Sequence, residues 1–522
     1  MEVLEIYSSA LSEYRAGNYE RALEILAEVK KNAPAWKKAM LLEAYIRRAQ
    51  NFYLSEISVL KNFLSQPDVL AEKNLAADAF SLLGAACRVV GMSDKAVDFF
   101  IGSAHLEEKI EKACPEISNA IFAANDVENF TAENFSKLYA EYRARLKEIT
   151  PYPKKFYSHD KIRVGYLSAD FHEHPVTFFA WALLTAYDKN SFAVYCYSSG
   201  EKNDAVTEKI KHSVDEWRDI SNLTDEDAAK MIRADEIDIL FDLSGHTNGN
   251  RLLVAARRPA AVQISGIGYM NSTGLDCFDY FLSDETCAGN FQAMQKFFTE
   301  KIIRLPRSHF CYTPLKNFPA PKNTPCLEKN YVTFGCFNNF SKITAPILNL
   351  WREILKAVPN SRLILKHKIF DNVEGKKFVA EKLRSFGFEI SRVELRGFSQ
   401  NYLEEYGEID IALDTFPYTG GVTTCEALYM GVPVVSLRGD RHGTRFGYSI
   451  LKNVGIEELA AKTPQEYFER AIALANDRDL LDVLHKNLRQ MMKNSPLMDS
   501  RGYVRDIEEK YFKIFQAEKN NE

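Results

Sequence analysis

The sequence has little excess charge of either sign and no cysteine pattern typical of a metal site or a disulfide framework. Its 66 basic and 71 acidic residues nearly cancel, which favours neither nucleic acid nor an anionic membrane as a partner. Nine cysteines without a C-x-x-C pair indicate reduced thiols. No apolar run reaches the roughly 18 residues of a membrane helix, and the first residues lack the pattern of a signal peptide. We expect a cytoplasmic protein without a membrane span.

Several catalytic and metal-binding motifs are absent as well. There is no Walker lysine loop, no H-E-x-x-H motif and no G-x-S-x-G nucleophile elbow. His172 and His174 form a His-x-His triplet, but Pro175 follows it and no third ligand is clear, which disfavours a metal site. Asp-x-Asp triplets at 225–227 and 477–479 adjoin helical runs, where acidic residues favour helix N-termini. We interpret them as helix caps, and we expect no metal and no cofactor.

The first 150 residues predict helices alone. At 522 residues the chain is too long for one core, so about three domains are expected. Residues 3–36 and 77–110 resemble tetratricopeptide repeats, helix pairs of about 34 residues, and the interval leaves room for a degenerate repeat. The small, turn and packing positions that carry this pattern are Ala10, Gly17, Tyr19, Ala22, Leu26 and Pro34 in the first stretch and Gly84, Gly91, Ala96 and Phe100 in the second. An unrelated helical bundle is the alternative. As repeats, these helices predict a surface for partner docking or oligomer formation.

Beyond a linker with Pro151 and Pro153, strands alternate with helical patterns in two series. Near-continuous apolar runs are typical of parallel strands covered on both faces. The strand candidates are 162–168, 192–197, 237–243, 261–267 and 279–283, then, after an irregular stretch at 314–325, residues 332–337, 362–366, 392–395, 409–413 and 432–437. We predict a helical domain at 1–150, an α/β lobe at 151–325 and a second at 326–522 that closes with helices at 464–515. The strand carboxyl edges of the two lobes would face each other across a cleft.

The most informative stretch is 410–439, DIALDTFPYTGGVTTCEALYMGVPVVSLRG, in which an apolar strand leads through a glycine turn into a helix. Gly420 and Gly421 lie at the helix start, where backbone N–H groups converge and the helix dipole adds about half a positive charge. Glu426, which we place in the first turn of this helix, can hydrogen-bond ribose hydroxyls. The pattern predicts a nucleotide diphosphate site. An ordinary βα turn is the alternative, because short glycine motifs are weak signals.

Further candidate ligand-binding residues follow predicted strand ends. His174 follows the first strand, His246 the third, and Gly268 and Tyr269 the fourth. Lys342 follows the first strand of the second series, so a cation is expected at the same edge as the glycine turn. Ligands bind at the carboxyl ends of strands in open α/β sheets, which makes these residues candidates for one site.

Five ordered blocks between about residues 160 and 490 resemble the O-GlcNAc transferase family, in its bacterial branch. The blocks are KIRVGYLSADFHEHPV, IDILFDLSGHTNGNRLLVAARRPAAVQ, FGCFNNFSKI, ALDTFPYTGGVTTCEALYMGVPVV and GDRHGTR. The resemblance implies an α/β GT-B fold, two facing Rossmann-like lobes preceded by a tetratricopeptide-like domain. It also implies an inverting, metal-independent transfer of GlcNAc from UDP-GlcNAc to a Ser or Thr hydroxyl of a protein acceptor, such as flagellin.

The resemblance, residue by residue, also implies the site. The family's diphosphate-binding lysine falls on Lys342 and its active-site histidine on His174. The residues that match nucleotide-binding positions are Asn339 for the nucleotide sugar, Gly397 for the base, Tyr402 in place of a stacking histidine, Gly420, Gly421, Thr423 and Thr424 around the phosphates, and Glu426 for the ribose. The residues expected to contact substrate are Gly268, Tyr269, Met270, Tyr418 and His246. Asp238 stands where animal members carry a histidine near the acceptor. The catalytic base stays open between His174, Asp238 and an oxygen of the donor phosphate.

Departures from the family pattern leave the donor open. Tyr269-Met270-Asn271 replaces a Tyr-Pro-Gly that lies against the sugar, and Val422 replaces a threonine. A deoxysugar from a GDP or dTDP donor is therefore an alternative to GlcNAc. A repeat adaptor that binds nucleotide without turnover is a second alternative, and the discriminating observation is sugar-nucleotide hydrolysis. A small-molecule or lipid glycosyltransferase is disfavoured by the helical arm and by the lack of an amphipathic helix for membrane docking.

Overall fold

A computed structural model describes residues 2–34 and 36–520, which form helices throughout the first third of the chain and alternating helices and strands after it. The α-helices are α1 Glu2–Arg15, α2 Tyr19–Asn32, α3 Lys37–Ala49, α4 Tyr53–Leu64, α5 Lys73–Val89, α6 Ser93–Leu106, α7 Ile110–Ala124, α8 Ala132–Arg145, α9 Pro175–Thr185, α10 Ala205–Ser213, α11 Asp225–Ala234, α12 Leu252–Ala256, α13 Glu285–Ala288, α14 Phe291–Gln295, α15 Pro325–Lys329, α16 Ala345–Ala357, α17 Val373–Ser385, α18 Tyr402–Glu405, α19 Val422–Tyr429, α20 Phe446–Val454, α21 Pro464–Asn476, α22 Arg478–Lys493 and α23 Ser500–Asn520. Among these described helices, none is both long enough and apolar enough to cross a membrane.

The β-strands lie between Ile162 and Ala461. They are β1 Ile162–Ser168, β2 Phe192–Ser198, β3 Glu216–Asp219, β4 Ile239–Asp242, β5 Val262–Ser265, β6 Tyr280–Asp284, β7 Lys301–Leu305, β8 Thr333–Cys336, β9 Arg362–Lys366, β10 Val393–Arg396, β11 Ile411–Leu413, β12 Val434–Leu437 and β13 Ala460–Ala461. All ten predicted strands are present, with ends that differ by up to two residues. Sequence reasoning missed β3 and β7, which carry charged residues at alternate or flanking positions and so lack a continuous apolar run, and the two-residue β13.

Packing divides the chain into two compact units. Unit 1 comprises Met1–Phe130, Cys336–Arg352 and Arg362–Gln400, and unit 2 comprises Thr131–Gly335, Glu353–Ser361 and Asn401–Glu522. This grouping assigns α8 to unit 2, although the sequence placed it in the helical domain. The domain boundaries at residues 150 and 325 stay predictions.

The helical arm of unit 1, α1–α7, consists of three consecutive helix pairs and a seventh helix. The pair α3–α4 occupies the interval between the two stretches that resemble repeats, as expected for a degenerate repeat. Each pair turns through one left-handed residue, Gly17 at φ 80°, Asn51 at φ 62° and Gly91 at φ 76°. Glycine adopts this conformation without a Cβ penalty, and asparagine tolerates it better than most residues. Asn51 therefore does in the middle pair what glycine does in the other two.

Small residues let the helices of the arm approach closely. A Cβ added to Gly84 on α5 would lie 2.9 Å from two ring atoms of the buried Phe100 on α6. A separate cluster joins the first three helices through buried aliphatic residues, namely Ala10, Ala22, Leu26, Val29, Ala39, Leu42 and Ile46. Each pair thus buries its apolar face against its neighbours, as repeat architectures do.

Within unit 1, α17 caps the N-terminus of α4. The Glu374 carboxylate accepts hydrogen bonds from the backbone N–H of Leu54 at 3.2 Å and of Ser55 at 3.0 Å. Asn372, just before α17, donates to the Asn51 carbonyl at 2.9 Å. The first N–H groups of a helix have no partner inside it, and a carboxylate there also interacts favourably with the helix dipole. The arm is therefore attached to the 362–400 segment through its second helix pair.

Unit 2 contains a seven-stranded sheet in the order β3-β2-β1-β4-β5-β6-β7. Every neighbouring pair is parallel, and β1 pairs with β2 from Ile162 opposite Phe192 to Ser168 opposite Ser198. The strand order reverses at β1, between β2 and β4. In open α/β sheets this switch point opens a crevice at the carboxyl ends of the strands, where ligands bind.

The second series of strands is parallel too. In unit 2, β11 lies between β8 and β12, with Ile411 opposite Phe334 and Leu413 opposite Val435, and β12 pairs with β13. In unit 1, β9 pairs with β10. Most residues of β11 and β12 are buried, as expected from the apolar runs that predicted these two strands.

Helix α8 packs against the loop that follows β5. The Tyr139 hydroxyl donates to the Ser272 carbonyl at 3.0 Å, and the Arg143 guanidinium donates to the Gly274 carbonyl at 2.7 Å. Gly274 has φ 68°, and a Cβ there would lie 2.0 Å from the Tyr139 ring. Glycine at this position therefore permits the close contact.

Gly84→Ala should destabilise α5 and α6, whereas Gly102→Ala should not. A Cβ at Gly102 would meet Phe80 at 3.5 Å, an ordinary contact, so the helix gains up to about 1 kcal/mol from alanine. At Gly84 the clash with Phe100 should cost about 1–3 kcal/mol and outweigh that gain. Hydrogen–deuterium exchange of peptides from residues 73–106 measures the local opening free energy. Equal protection in the two variants would contradict the tight crossing at Gly84.

Candidate active site

His174 lies at the carboxyl edge of the seven-stranded sheet, after β1, and is the N-cap of α9. Its Nδ1 accepts a hydrogen bond from the Val176 N–H at 3.4 Å, so the proton of the neutral ring is on Nε2. Pro175 occupies the first helical position, where a missing N–H costs nothing. Burial, with smaller contributions from His172 and Lys202, lowers the pKa of His174 to about 4. The imidazole is therefore neutral at pH 7 and offers an N–H at this edge.

Asp170 accompanies His174. Its Oδ2 lies 3.4 Å from His174 Nδ1, and burial raises the pKa of Asp170 to about 6. Because Nδ1 accepts from Val176, this contact is not a charge-assisted hydrogen bond at neutral pH. The loop after β1 is tied to α9 by the Thr177 hydroxyl, which donates to the Asp170 backbone carbonyl.

Asp238 lies far from His174, at the opposite end of β1. This position corrects the interpretation of Asp238 as a candidate catalytic base. It precedes β4, and its Oδ2 accepts from the Arg163 N–H at the start of β1, at 2.9 Å. His174 follows the opposite end of β1, a seven-residue strand, and a strand rises about 3.3 Å per residue, which puts roughly 20 Å between these ends. Asp238 instead lines a cavity of about 310 Å³ with His159 and Lys519. Burial raises the pKa of Asp238 to about 6.

The glycine turn before α19 is built around a buried carboxylate. Asp414 Oδ1 accepts from the Gly420 N–H at 2.7 Å and the Thr415 N–H at 2.9 Å, and Oδ2 accepts from the Ser436 hydroxyl at 2.6 Å. Gly421 is the N-cap of α19, and residues 421–423 are partly open to solvent. The turn therefore presents a helix N-terminus, which suits an anion such as phosphate.

Two threonine hydroxyls lie beside this turn. A Cβ on Gly420 would lie 2.4 Å from Thr424 Oγ1 and 2.8 Å from Thr423 Oγ1, so glycine is required for the threonines to approach. Tyr418, which precedes the turn, is half-buried, and its carbonyl accepts from the Thr415 hydroxyl. Tyr418, both glycines and both threonines therefore lie at one turn, and their predicted role in binding a nucleotide stays a prediction.

Glu426 is the fifth residue of α19, in its second turn rather than its first, and is only 3% exposed. It accepts a short hydrogen bond from the Tyr402 hydroxyl. Lys316 Nζ lies 2.5 Å from the Tyr402 oxygen and 3.6 Å from Glu426 Oε1. Burial raises the pKa of Glu426, and the Lys316 charge and the Tyr402 hydrogen bond oppose that rise. A buried carboxylate is stable here because it has a hydrogen bond and a counter-ion.

The loop after β5 is strained and mostly buried. Ile267 has φ 67°, an uncommon conformation for a β-branched residue, and a Cβ on Gly268 would lie 1.9 Å from the Leu243 carbonyl oxygen. The side chains of Tyr269 and Met270 are buried, and the Met270 carbonyl accepts from His442 Nδ1 at 3.2 Å. Strain of this kind clusters at functional sites. The predicted contact of this loop with substrate stays a prediction, and it would involve the backbone.

His246 is buried in an aromatic cluster. Its Nε2 donates to the Thr273 carbonyl at 2.7 Å, and its ring packs against Tyr139, Tyr142 and Tyr269. Burial lowers the pKa of His246 to about 4. The structure gives His246 the role of supporting the loop after β5, and its direct contact with substrate stays a prediction.

Three predicted site residues belong to unit 1. Lys342 is buried and ends a short 3₁₀ helix that follows β8, with Asn339 as the exposed N-cap. Gly397 follows β10, and its carbonyl accepts from Lys366 Nζ at 2.7 Å. Next to it, Phe398 is 74% exposed, and its N–H donates to Asp371. An exposed ring held by its backbone at a strand end can stack on a base.

Sequence reasoning missed Lys316 and Phe398. Lys316 lies in the irregular stretch 314–325, which carries no periodic pattern, and only the structure shows it 5.4 Å from the Phe178 ring and 4.7 Å from the Tyr402 ring. An aromatic residue three positions after a predicted strand was the available signal for Phe398.

The family model of glycosyl transferase family 41 matches residues 132–328 and 320–507. A Solanum lycopersicum protein, named probable UDP-N-acetylglucosamine–peptide N-acetylglucosaminyltransferase SPINDLY, is 39% identical over 407 residues, 75% of this chain and 43% of that protein. The Arabidopsis thaliana protein of the same name is 40% identical over 357 residues, 67% of this chain and 39% of that protein. The chain therefore spans less than half the length of these curated relatives.

A solved structure covers almost the whole chain. The structure of a Thermobaculum terrenum O-GlcNAc transferase mutant aligns with 99% of this chain and 98% of its own, with a TM-score of 0.85 and 28% identity. This similarity, with the two sets of parallel strands and the helical arm, confirms the predicted fold class, a GT-B fold preceded by tetratricopeptide-like helices.

Lys316→Met should destabilise unit 2 by about 1–3 kcal/mol, because it leaves the buried Glu426 carboxylate without its counter-ion. Adding Glu426→Gln should restore much of the loss, since a neutral amide needs no cation. Urea unfolding of the two single variants and the double variant measures the coupling. Lys322→Met in the same linker is the control and should change little. Additive effects of the two substitutions would rule out the ion pair as a stabilising unit.

Proposed function

The chain belongs to glycosyl transferase family 41, and on that premise we propose that it transfers a sugar from a nucleotide to Ser or Thr hydroxyls of a protein acceptor. The proposed donor is UDP-GlcNAc, which agrees with the names of its curated relatives. The observation that carries the proposal is the glycine turn at the N-terminus of α19, with Thr423 and Thr424 beside it. Such a turn suits the diphosphate of a nucleotide sugar.

The proposed reaction is a direct displacement at the anomeric carbon, which inverts its configuration. The acceptor oxygen forms a bond to that carbon as the bond to the diphosphate oxygen breaks. The departing negative charge is stabilised by the helix N-terminus of α19 and, on the resemblance of FGCFNNFSKI, by Lys342. These groups supply the positive charge that a metal ion provides in other transferases, so we propose a metal-independent reaction.

His174 is proposed to position the acceptor rather than to take its proton. A histidine whose pKa is lowered to about 4 is a weak base at neutral pH. Its Nε2–H can instead donate a hydrogen bond to a sugar or acceptor oxygen. With Asp238 at the other edge of the sheet, an oxygen of the donor phosphate is the proposed proton acceptor.

The changed loop at Met270 supports a second donor class. Met270 and Asn271 stand where the family pattern has Pro-Gly, and the side chain of Met270 is buried. Replacing proline and glycine changes the backbone conformations open to this stretch, and with them the shape that it can offer to the sugar. A deoxysugar from a GDP or dTDP donor is thus the second candidate.

The acceptor is proposed to be a protein that docks on the helical arm, with flagellin as the first candidate to test. Repeat helices present extended surfaces suited to peptides. We place the reaction in the cytoplasm, and the arm also offers a surface for oligomer formation. A nucleotide-binding adaptor is the competing function, and it would bind a sugar nucleotide without releasing free nucleotide.

Lys342→Ala should lower the transfer rate by about 10²–10³-fold while the protein stays folded, because the leaving diphosphate loses a positive charge. Release of nucleotide from the donor, in the presence of acceptor, measures the rate. Asp238→Asn is the matched control, a buried charged residue of the catalytic region that should retain near-normal turnover. Normal turnover of Lys342→Ala would refute the phosphate assignment.

UDP and UDP-GlcNAc should raise the melting temperature more than GDP, dTDP or their sugar conjugates. A ligand at a hundredfold over its Kd that binds only the folded state stabilises it by about 2.7 kcal/mol. A thermal-shift screen of purified protein measures this. Stabilisation by GDP or dTDP conjugates alone would overturn UDP-GlcNAc as donor and favour the second candidate.

A further inference from the structure

Cys287, His309 and His442 meet in the interior of unit 2, outside the candidate active site. Cys287 lies on α13, His309 follows β7, and His442 opens the 3₁₀ helix His442–Arg445. All three side chains are buried, and one ligand atom from each lies within 4.8 Å of the other two. Cysteine sulfur and histidine nitrogen are the ligands that zinc-class ions prefer in proteins.

One ring nitrogen of His309 makes a hydrogen bond, and the other is available to a ligand. Its Nδ1 lies 2.5 Å from Asp284 Oδ2, and a carboxylate accepts, so Nδ1 carries a proton. The residue is only 1% exposed, and its Nε2 is a buried polar atom that has no hydrogen-bond partner within residues 2–34 and 36–520. A histidine whose Nδ1–H donates to a carboxylate while Nε2 stays available has the arrangement found in metal-ligating histidines.

His442 has the same tautomer. Its Nδ1 donates to the Met270 carbonyl at 3.2 Å, and its Nε2 accepts from the Ser283 hydroxyl at 2.9 Å. A hydroxyl can rotate, so Ser283 can release Nε2 to another partner. With its proton on Nδ1, the His442 ring can offer the lone pair of Nε2 to a metal ion.

The Asp284 carboxylate orients two of the three residues through hydrogen bonds. Its Oδ1 accepts from the Cys287 N–H at 2.7 Å, and its Oδ2 accepts from the His309 N–H at 3.0 Å and the Ser449 hydroxyl at 2.9 Å. The carboxylate thereby fixes the positions of two of the three ligand residues. Outer groups of this kind orient the ligands of a metal.

We propose that Cys287, His309 and His442 bind one divalent zinc-class ion as a structural cross-link within unit 2. On binding, the Cys287 S–H bond breaks, a sulfur–metal bond forms and the proton passes to solvent. Zn–S is about 2.3 Å and Zn–N about 2.0–2.1 Å, so tetrahedral ligands must close to about 3.5 Å from one another. The three side chains therefore have to move inward by about an ångström. Ser283 or a water molecule can complete the coordination.

The ion would tie three separate segments of the chain together and reach the loop after β5. His442 donates to the carbonyl of Met270, so an ion on its Nε2 would hold that carbonyl in place through the ring. The competing explanation is plain packing, since the His442 ring also meets Phe281, Phe298 and Phe446 edge-on.

The test uses the full chain, purified in the reduced state and equilibrated with Zn²⁺ in a metal-buffered solution. Mass spectrometry of bound metal should find about one zinc per chain in the wild type. Cys287→Ala and His309→Phe should each lose it. Cys196→Ala, which removes another buried thiol on β2, should retain it. Wild-type protein without zinc, or equal zinc in Cys287→Ala and Cys196→Ala, would overturn the proposal.

Cobalt gives a second readout that does not depend on the folding of a variant. Wild-type protein loaded with Co²⁺ should show a sulfur-to-cobalt charge-transfer band in the near ultraviolet and the intense visible bands of tetrahedral cobalt. Absence of the sulfur band in the folded wild type would refute cysteine ligation. These readouts involve no sugar transfer, so their outcome is independent of the proposed function.

Discussion

Parallel strand pairing is the constraint on which the rest of this structure depends. Parallel neighbours need crossover connections, so the loops that follow successive strands emerge at one edge of their sheet. His174 after β1 and the loop after β5 reach the carboxyl edge of the seven-stranded sheet in this way. The glycine turn after β11 reaches the carboxyl edge of the second series by the same rule. Residues distant in sequence become neighbours because the strands that precede them are parallel.

Buried carboxylates then fix the local geometry around the glycine turn before α19. Asp414 fixes the turn by accepting from Gly420, Thr415 and Ser436, and Glu426 is held by Tyr402 and Lys316. Both carboxylates are buried, and each has more than one polar partner. A polar network of this kind is rigid when complete and costly when broken. The turn is therefore preorganised for an anion by groups that do not themselves contact it.

The sequence predicted the elements that show hydrophobic periodicity well. It predicted poorly the features that depend on contacts between residues distant in the chain. Strand β1 has its predicted ends because its apolar run is nearly continuous, whereas β3, Glu216–Asp219, is a short edge strand made of charged residues and tryptophan. Asp238 was misjudged although its place could have been inferred. It precedes an apolar run and so lies at the amino edge, whereas His246 follows the same run. The Lys316 contact has no local pattern, since it joins residues about 110 positions apart.

The capping of α4 by Glu374 has a consequence for how the arm can vary. The hydrogen bonds described above from the 362–400 segment reach α4 and the turn before it, in the middle of the arm. Helix pairs stack on their neighbours alone, so their stability is approximately a sum of local terms. Repeats could therefore be added or removed ahead of α3 without disturbing this anchor. The length of the arm, and with it the size of partner that the arm can contact, can therefore change while the attachment at α4 stays the same.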